Sequence, residues 1–168
     1  MTDDLFTSVA FTGHRTYDGR ADGALRQIVA ACHARGARTF FSGMAVGFDL
    51  AAAEAVLECR AALPGARLVA VIPFEEQAAH FSAADQVRFR QVAAAADETV
   101  VLSAGYHRGV YALRNDFLVD HAGSLVAWFD GSPGGTHYTV RRALRLGRRI
   151  DNLCPAGPAF PLPAPTLF

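Results

Sequence analysis

The sequence is poor in cysteine and has no excess of charge of either sign. Its three cysteines, Cys32, Cys59 and Cys154, lie far apart, without C-x-x-C spacing and without clustered histidines. This spacing predicts neither a metal site nor a disulfide framework, and it suits a reducing compartment. Basic and acidic residues both number 16, for a formal net charge of zero. Such a balance argues against general electrostatic capture of nucleic acid or membrane, so we expect no nucleic-acid partner and only a local anion site.

Long apolar runs and a targeting segment are also missing. No run approaches the roughly 20 residues that a membrane-spanning helix needs. The N-terminus, residues 1–5, lacks the basic start and apolar core of a signal peptide. We therefore expect a cytoplasmic protein without membrane association. The length of 168 residues suits one domain of about five or six strands.

Strand-like and helix-like segments alternate along the chain. Apolar runs typical of strands lie at residues 8–12, 39–42, 67–72, 98–102, 124–129 and 149–154, and segments of helical spacing separate them, the last at 138–147. This alternation indicates βαβ units. We predict an α/β fold over residues 1–154, a single doubly wound, mainly parallel sheet with helices on both faces, which is a Rossmann-like domain. Residues 155–168 hold five prolines and form a tail predicted to wrap the surface or to be disordered.

The loops that follow the strands are the predicted place of a ligand site, because doubly wound sheets bind ligands beyond the carboxyl ends of their strands. The turn after the fifth strand contains Gly134, Gly135 and Thr136 and leads into the last helix. Glycines let an anion approach the backbone closely, and the free N–H groups of a helix start attract it. This turn therefore predicts a phosphate site, although many glycine-rich turns serve only to redirect the chain.

The turn after the first strand reads Gly13-His14-Arg15 and does not match the G-x-G-x-x-G dinucleotide fingerprint. We therefore expect no nicotinamide cofactor, and no other cofactor is indicated. Arg15 can grip a phosphate bidentately, and His14 can donate a hydrogen bond to one. In the alternative interpretation Arg15 pairs with Asp18 or Asp22, and His14 caps a loop.

The turn after the second strand adds two glycines ahead of an alanine-rich helix. Ser42, Gly43 and Gly47 belong to this turn. Asp49 is either a cap of the helix start or an acceptor for a sugar hydroxyl. Glu54 lies on the apolar stripe of the same helix and is predicted to point inward, where a carboxylate needs a partner.

The fourth helix carries Arg114, Asn115 and Asp116 near its start. A guanidinium followed by an amide can hold a phosphate and a ribose together. Asp116 is more typical of a solvated helix start. Tyr106 and Tyr111 can stack on a base or simply anchor the loop.

The last helix carries Arg141, Arg142 and Arg145 mostly on its outer face. A solvated face is the ordinary interpretation of such a run. Contact with nucleic acid is the alternative interpretation.

Five short motifs follow one another in a specific order: Thr12-Gly13-His14-Arg15, Ser42 to Asp49, Pro73-Phe74, Arg114-Asn115 and Gly134-Gly135-Thr136. In this order and spacing the chain resembles the YpsA-like branch of the SLOG superfamily, the Rossmann-like group that includes the DprA/Smf and LOG proteins. The resemblance extends over about residues 8 to 150. It implies a nucleotide or nucleotide-derivative site built from the glycine turns after the first, second and fifth strands.

The LOG enzymes are phosphoribohydrolases that release a base from a nucleoside monophosphate, and they use an arginine and the glutamate of a Pro-Gly-Gly-x-Gly-Thr-x-x-Glu turn. Arg114 and the run Pro133-Gly134-Gly135 match that framework, but no carboxylate occupies the glutamate position. Cleavage of an N-glycosidic bond passes through a cationic sugar that a carboxylate stabilises. One of three other acids would have to substitute, namely Asp49, Glu54 or Asp116.

We therefore predict a cytosolic protein that binds a nucleotide or a nucleotide derivative. Its predicted ligand contacts are Gly13, His14, Arg15, Ser42, Gly43, Gly47, Asp49, Arg114, Asn115, Gly134, Gly135 and Thr136. The alternatives are a LOG-like hydrolase with a displaced acid and a DprA-like binder of single-stranded DNA. For the hydrolase the catalytic candidates are Arg114, Asp49, Glu54 and Asp116. The base, the reaction and a homo-oligomeric state remain open at this point.

Overall fold

The structure, a computed structural model, describes residues 4–163. Six parallel strands form one sheet in the order β4-β3-β2-β1-β5-β6. The strands are β1 Ser8–Gly13, β2 Thr39–Ser42, β3 Arg67–Phe74, β4 Glu98–Ser103, β5 Ser124–Trp128 and β6 Arg149–Asn152. The helices are α1 Asp22–Ala34, α2 Phe48–Cys59, α3 Ala83–Ala95, α4 Val110–Asp120 and α5 Gly135–Arg145. The predicted doubly wound parallel sheet is thus confirmed.

Helices cover both faces of the sheet, and this burial explains why the sequence of β3 is a continuous apolar run. Leu68, Ala70 and Ile72 pack into the core cluster that α1, α2 and α3 complete, whereas Val69 and Val71 pack into the cluster on the α4 and α5 side. A strand buried on both faces needs apolar residues at every position, because its side chains alternate between the two layers.

The strand order creates a crevice at the carboxyl ends of β1 and β5. The chain proceeds outward from β1 through β2 and β3 to β4, and α4 then crosses to the opposite face so that β5 pairs with the other side of β1. The loops after β1 and β5 consequently leave the sheet toward opposite faces. Ligands of doubly wound sheets bind at such a switch point.

Helix α5 begins at Gly135, three residues before the predicted start at residue 138, and ends at Arg145 instead of residue 147. The N–H of Tyr138 donates to the carbonyl of Gly134 at 3.0 Å, which is the first helical bond. Gly134 has φ 138°, a conformation that favours glycine. The turn predicted to precede the helix is therefore itself the helix start, and its amides belong to the first helical turn.

The first part of the proline-rich tail packs on the domain. Asn152 donates through Nδ2 to the carbonyl of Pro158 at 2.9 Å, and the half-buried ring of Phe160 packs against the α4 and α5 core cluster. The predictions for residues 1–3 of the N-terminus and 164–168 of the tail lie outside the described residues. Within residues 4–163, no helix is both long enough and apolar enough to cross a bilayer.

Candidate functional site

A cavity of about 350 Å³, here called the β1 cavity, opens at the carboxyl ends of β1 and β5. Its walls come from the loop after β1, the loop after β2, the first turns of α4 and the start of α5. Most of the predicted ligand contacts line it, namely Gly13, His14, Arg15, Asp49, Arg114, Asn115, Gly135 and Thr136. The structure thus brings together residues from four separate segments of the chain.

The remaining predicted contacts, Ser42, Gly43, Gly47 and Gly134, are not among the residues that line the cavity. They shape the loops behind it. The hydroxyl of Ser42 is fully buried and donates to the carbonyl of Asp49 at 2.9 Å. Gly47 precedes α2 with φ 80°, and a Cβ there would lie 2.6 Å from the carbonyl oxygen of Arg15. The tight turn of the loop after β2 thus requires a small residue at Gly47 and a buried hydroxyl at Ser42, so neither residue needs to contact a ligand.

Arg114 is a buried charged side chain of the cavity that is held by two hydrogen bonds. It is 6% exposed, its Nη1 donates to the carbonyl of Gly43 at 2.6 Å, and its Nε donates to Oδ1 of Asn115 at 2.9 Å. A Cβ on Gly43 would lie 2.7 Å from that Nη1, so glycine makes room for the guanidinium. Burial lowers the pKa of Arg114, while the negative charge of Asp49 opposes that change. Arginine stays protonated at ordinary pH in any case.

The bond from Arg114 also orients the amide of Asn115. Because Nε can only donate, Asn115 must turn its oxygen toward Arg114 and its Nδ2 the other way. That nitrogen would be 3.6 Å from a Cβ on Gly135, and it donates to no other described residue. Asn115 therefore presents a free donor beside the start of α5.

Asp49 is a buried carboxyl group in the same cavity. It is 5% exposed, and its Oδ1 has no hydrogen-bond partner among the described residues. Burial raises the pKa of Asp49 to about 6, although the guanidinium of Arg114 and hydrogen bonds from the backbone of Ala45 and Gly13 act to lower it. At neutral pH the carboxyl group is therefore mostly ionised but close enough to its pKa to exchange a proton.

The start of α5 presents N–H groups to the cavity. Gly134, which precedes the helix, supplies no side-chain cap. Gly135 and Thr136 of the first turn line the cavity, and a Cβ on Gly135 would meet only the Asn115 amide, at 3.6 Å. The first amides of a helix lack intrahelical partners and carry partial positive charge. This corner of the cavity can therefore receive an anion.

Arg15 has no ion pair of the kind considered in the alternative interpretation. Asp18 pairs with Arg20, and Asp22 accepts a hydrogen bond from the hydroxyl of Tyr17. Arg15 is exposed and makes no hydrogen bond or ion pair with residues 4–163. Its guanidinium carbon lies 5.6 Å from the ring centre of Tyr111, a cation–π arrangement. The free side chain remains available to an anion in the cavity.

His14 is held by the loop after β5. Its Nε2 lies 2.8 Å from Oδ1 of Asp130, and its ring packs against Phe129. Hydrogen bonds from Ser132, together with His14, lower the pKa of Asp130 from its ordinary value. The alternative interpretation of His14 as a loop-fixing residue thus matches its contacts, although its side chain also borders the cavity.

Two of the candidate acids lie outside the β1 cavity. The prediction that Glu54 points inward is wrong, because its half-exposed carboxylate accepts a hydrogen bond from Nε of Arg88 on α3 at 3.0 Å. Leu50, Ala53 and Val56 are among the buried residues of α2, and Glu54 lies at the edge of that buried face. Asp116 accepts from the hydroxyl of Tyr138 at 2.7 Å and pairs with Arg142. Asp49 is consequently the acid candidate that the cavity contains.

Thr12, Ala45 and Tyr111 also line the cavity but were not among the predicted contacts. The sequence predicts Tyr111 as a stacking or anchoring residue, and the aromatic and basic composition of its loop is the available signal. Nothing in the sequence marks Ala45. Nearby Met44 is buried with φ 62°, an unusual conformation for a residue with a side chain. Among the described residues, no group of three or more His, Cys, Asp or Glu is placed to hold a metal ion.

Comparison with known proteins identifies the family. A family model named YpsA and described as "YspA SLOG family" matches residues 21–151. The chain belongs to the YpsA family of SLOG proteins. This YpsA-family chain is 28% identical over 130 residues to the uncharacterized SPbeta prophage-derived protein YoqJ of Bacillus subtilis, a match over 69% of this chain and 76% of YoqJ. It is also 28% identical over 123 residues to the UPF0398 protein BH1768 of Halalkalibacterium halodurans, covering 71% and 65% of the two chains.

Two solved structures of DNA processing protein A share the fold. The protein from Streptococcus pneumoniae superposes with a TM-score of 0.62 at 18% identity, over 88% of this chain and 50% of that chain. The Helicobacter pylori protein, described for its single-stranded DNA binding mode, gives a TM-score of 0.64 at 16% identity, over 88% and 65%. This YpsA-family chain thus spans half of one DprA chain and about two thirds of the other. At such identities the likeness establishes the fold alone.

Proposed function

We propose that this YpsA-family protein is a cytoplasmic protein that binds a nucleotide or nucleotide derivative in the β1 cavity, with a phosphate at the start of α5. The observation that carries the proposal is that one cavity collects several unpaired donors. The first-turn amides of α5, Nδ2 of Asn115 and the guanidinium of Arg15 make no hydrogen bond to another described side chain. Such donors match a phosphate, which offers several strong acceptor oxygens.

The charge of the cavity supports the same ligand class. Arg15 and Arg114 line it together with one carboxyl group, that of Asp49, whose pKa of about 6 reduces its negative charge below neutral pH. The local field is therefore positive although the chain as a whole is neutral. A local positive site in a neutral protein favours a small anion over an extended polyanion.

The rest of the cavity suits a ribose. The unpaired Oδ1 of Asp49 is an acceptor that a sugar hydroxyl can satisfy, and Asn115 lines the same cavity. Tyr111 also lines the cavity and offers a ring to a planar group. The β1 cavity thus offers groups that suit a phosphate and a sugar.

Gly135 provides the direct test. A Cβ there fits the protein, so Gly135→Val should leave the fold intact while its side chain projects into the space of the phosphate. We expect the thermal stabilisation by nucleoside mono- and diphosphates and by ADP-ribose, which reports binding to the native state, to be lost in Gly135→Val.

The matched control is Gly23→Val, since Gly23 lies in the first turn of α1, has an exposed position and would place its Cβ 3.9 Å from a flexible arginine end. This variant should bind as the wild type does. Equal affinity of the wild type and a folded Gly135→Val protein would contradict the placement of the phosphate at the start of α5.

The comparison with DprA makes single-stranded DNA a further ligand to test. The expectation of no nucleic-acid partner rested on the neutral charge, and the likeness to a DNA-binding protein leaves it without support. On α5, Arg142 is engaged by Asp116 and Asp120, whereas Arg141 and Arg145 are exposed. The same binding assay can include a single-stranded oligonucleotide at several salt concentrations. If its affinity falls steeply with salt, and this dependence vanishes when Arg141 and Arg145 are both replaced by glutamine, the ligand is DNA and not a nucleotide.

Hydrolysis of a nucleoside monophosphate is the second candidate function, and Asp49 is the observation that favours it. A carboxyl group with a pKa near 6 beside a bound ribose can exchange a proton with water or the leaving base at neutral pH. Arg114 cannot take this role, because it stays protonated. If the protein hydrolyses nucleoside monophosphates, free base accumulates when the wild type is incubated with them and does not accumulate with Asp49→Asn. Chromatography of the free base measures it, and release that survives in Asp49→Asn would exclude this acid.

A further inference from the structure

A second cavity, here called the β3 cavity, lies at the carboxyl end of β3 and has a volume of about 330 Å³. It is bounded by Phe74 at the end of β3, by the short 3-10 helix Gln77–His80 and by Phe81. Arg15 and Tyr111 line both this cavity and the β1 cavity. The two cavities are therefore neighbours that share one wall.

The β3 cavity has an aromatic side. Phe74 stands edge-on to Tyr111 at 5.9 Å and to Tyr106 at 5.8 Å between ring centres, and Tyr106 is 69% exposed. The guanidinium groups of Arg15 and Arg114 lie 5.6 and 5.8 Å from the ring centre of Tyr111. Aromatic rings with an adjacent guanidinium are the surroundings in which a flat nitrogen heterocycle stacks.

Gln77 adds a polar group whose orientation is determined by its neighbours. The side chain is 5% exposed, and its Nε2 donates to the carbonyl of Gly43 at 3.1 Å. That carbonyl also accepts from Arg114, and a carbonyl oxygen cannot donate, so the amide of Gln77 has to present its nitrogen there. Its Oε1 is left buried without a partner among residues 4–163. Buried acceptors in native proteins are nearly always paired, which makes this atom a candidate for a ligand donor.

We propose that the β3 cavity binds the base of the nucleotide and that Oε1 of Gln77 accepts a hydrogen bond from an amino group on the edge of that base. The inference rests on the proposed function, since the sugar and phosphate are taken to lie in the β1 cavity. Tyr111 and Arg15 line both cavities, so the ligand extends past these two side chains. Oε1 has almost no contact with solvent, so the bond to the base forms as neighbouring side chains shift.

The carbonyl of Gly43 connects the two cavities physically. It accepts from Arg114 on the β1 side and from Gln77 on the β3 side. Any residue other than glycine at position 43 would place its Cβ 2.7 Å from Nη1 of Arg114. The loop after β2 thus holds one residue of each cavity at a common point, which fixes the spacing between phosphate recognition and base recognition.

The test compares ligands that differ by one amino group. Affinities are measured calorimetrically for AMP, GMP and CMP, and for purine riboside 5′-monophosphate, which lacks an amino group. We expect the last to bind the wild type about 10-fold or more weakly than the tightest of the other three, since the buried acceptor is then left unpaired. In Gln77→Leu this ratio should fall to about one.

Gln86→Leu is the matched control, because Gln86 also donates through Nε2 to backbone carbonyls, those of Ala78 and Ala79, but does not line the β3 cavity. Its discrimination ratio should equal that of the wild type. A ratio is used because it cancels any general loss of folded protein in either variant. Discrimination that persists in Gln77→Leu, or an absence of discrimination in the wild type, overturns the assignment of Gln77.

Ribose 5-phosphate separates this proposal from the proposed function. It reaches only the β1 cavity and should bind the wild type and Gln77→Leu equally. If ribose 5-phosphate binds but nucleotide affinity does not depend on the amino group, the proposed phosphate site is supported and the proposed base site is contradicted. If neither ribose 5-phosphate nor any nucleotide binds, both proposals fail.

Discussion

Replacement of Arg114 by alanine is expected to weaken nucleotide binding by about 1.5 to 3 kcal/mol, the range for a lost hydrogen bond to a charged group. The guanidinium is 6% exposed and is held by the carbonyl of Gly43 and by Asn115, so it meets the ligand already oriented. Its loss removes a buried positive charge and also the contact that turns the Asn115 amide toward α5. Isothermal titration with the tightest ligand of the screen measures the effect.

Two variants control this result. Arg114→Lys retains the charge but loses the planar guanidinium, which donates to Gly43 and to Asn115 at the same time. This variant should therefore recover only part of the affinity. Arg108→Ala removes an exposed arginine that does not line the β1 cavity and should leave affinity unchanged. Because Gln77 still donates to the carbonyl of Gly43 in Arg114→Ala, we expect the variant to fold, which circular dichroism checks. Wild-type affinity in a folded Arg114→Ala protein would contradict the site.

Replacement of Asp49 by asparagine is expected to remove a pH dependence of stability worth about 3 kcal/mol. The unfolded chain ionises Asp49 near its ordinary pKa of 3.8, whereas the folded protein keeps the proton up to about pH 6. The raised folded pKa therefore contributes stability that is fully present below about pH 4 and is lost as the pH rises to about 6. The size follows because a tenfold change in an equilibrium constant is worth about 1.4 kcal/mol.

The measurement compares the free energy of unfolding of the wild type and Asp49→Asn from pH 3.5 to 7.5 in urea. The difference between the two proteins should shift in favour of the variant as the pH rises to about 6 and should stay constant above it. Comparing the two pH profiles avoids any assumption about how well asparagine packs at this position. Parallel profiles would show that Asp49 ionises normally, and the proton-transfer role would then lose its physical basis.

Local patterns in the sequence were enough to predict the elements and the cavity's main segments. The apolar runs of β3 and β5 and the breaks at glycine and proline indicate strands buried on both faces, because period and composition reflect burial directly. The strand-end rule then placed Arg15, Arg114 and Gly135 in one cleft, and the structure brings all three to the β1 cavity. The start of α5 was placed three residues late because Gly134 and Gly135 weigh against a helix in propensity alone.

Glu54 shows where such patterns fail. It lies among apolar residues in the sequence, yet its carboxylate accepts a hydrogen bond from Arg88, 34 positions away on another helix. Partners so distant along the chain leave no periodic signal. A polar residue is therefore assigned to solvent, core or ligand only when the neighbouring elements are in place.

The sequence by itself determined the alternation of strands and helices, the doubly wound class and the loops that carry polar side chains, because each depends on interactions among nearby residues or on burial period. Only the tertiary structure decided which of those side chains are free to act. Among residues 4–163, Arg15 is left without an ion pair and Gln77 retains an unpaired oxygen, and burial raises the pKa of Asp49 to about 6. Each of these properties arises from desolvation and from partners contributed by other elements, which no local stretch of the chain encodes.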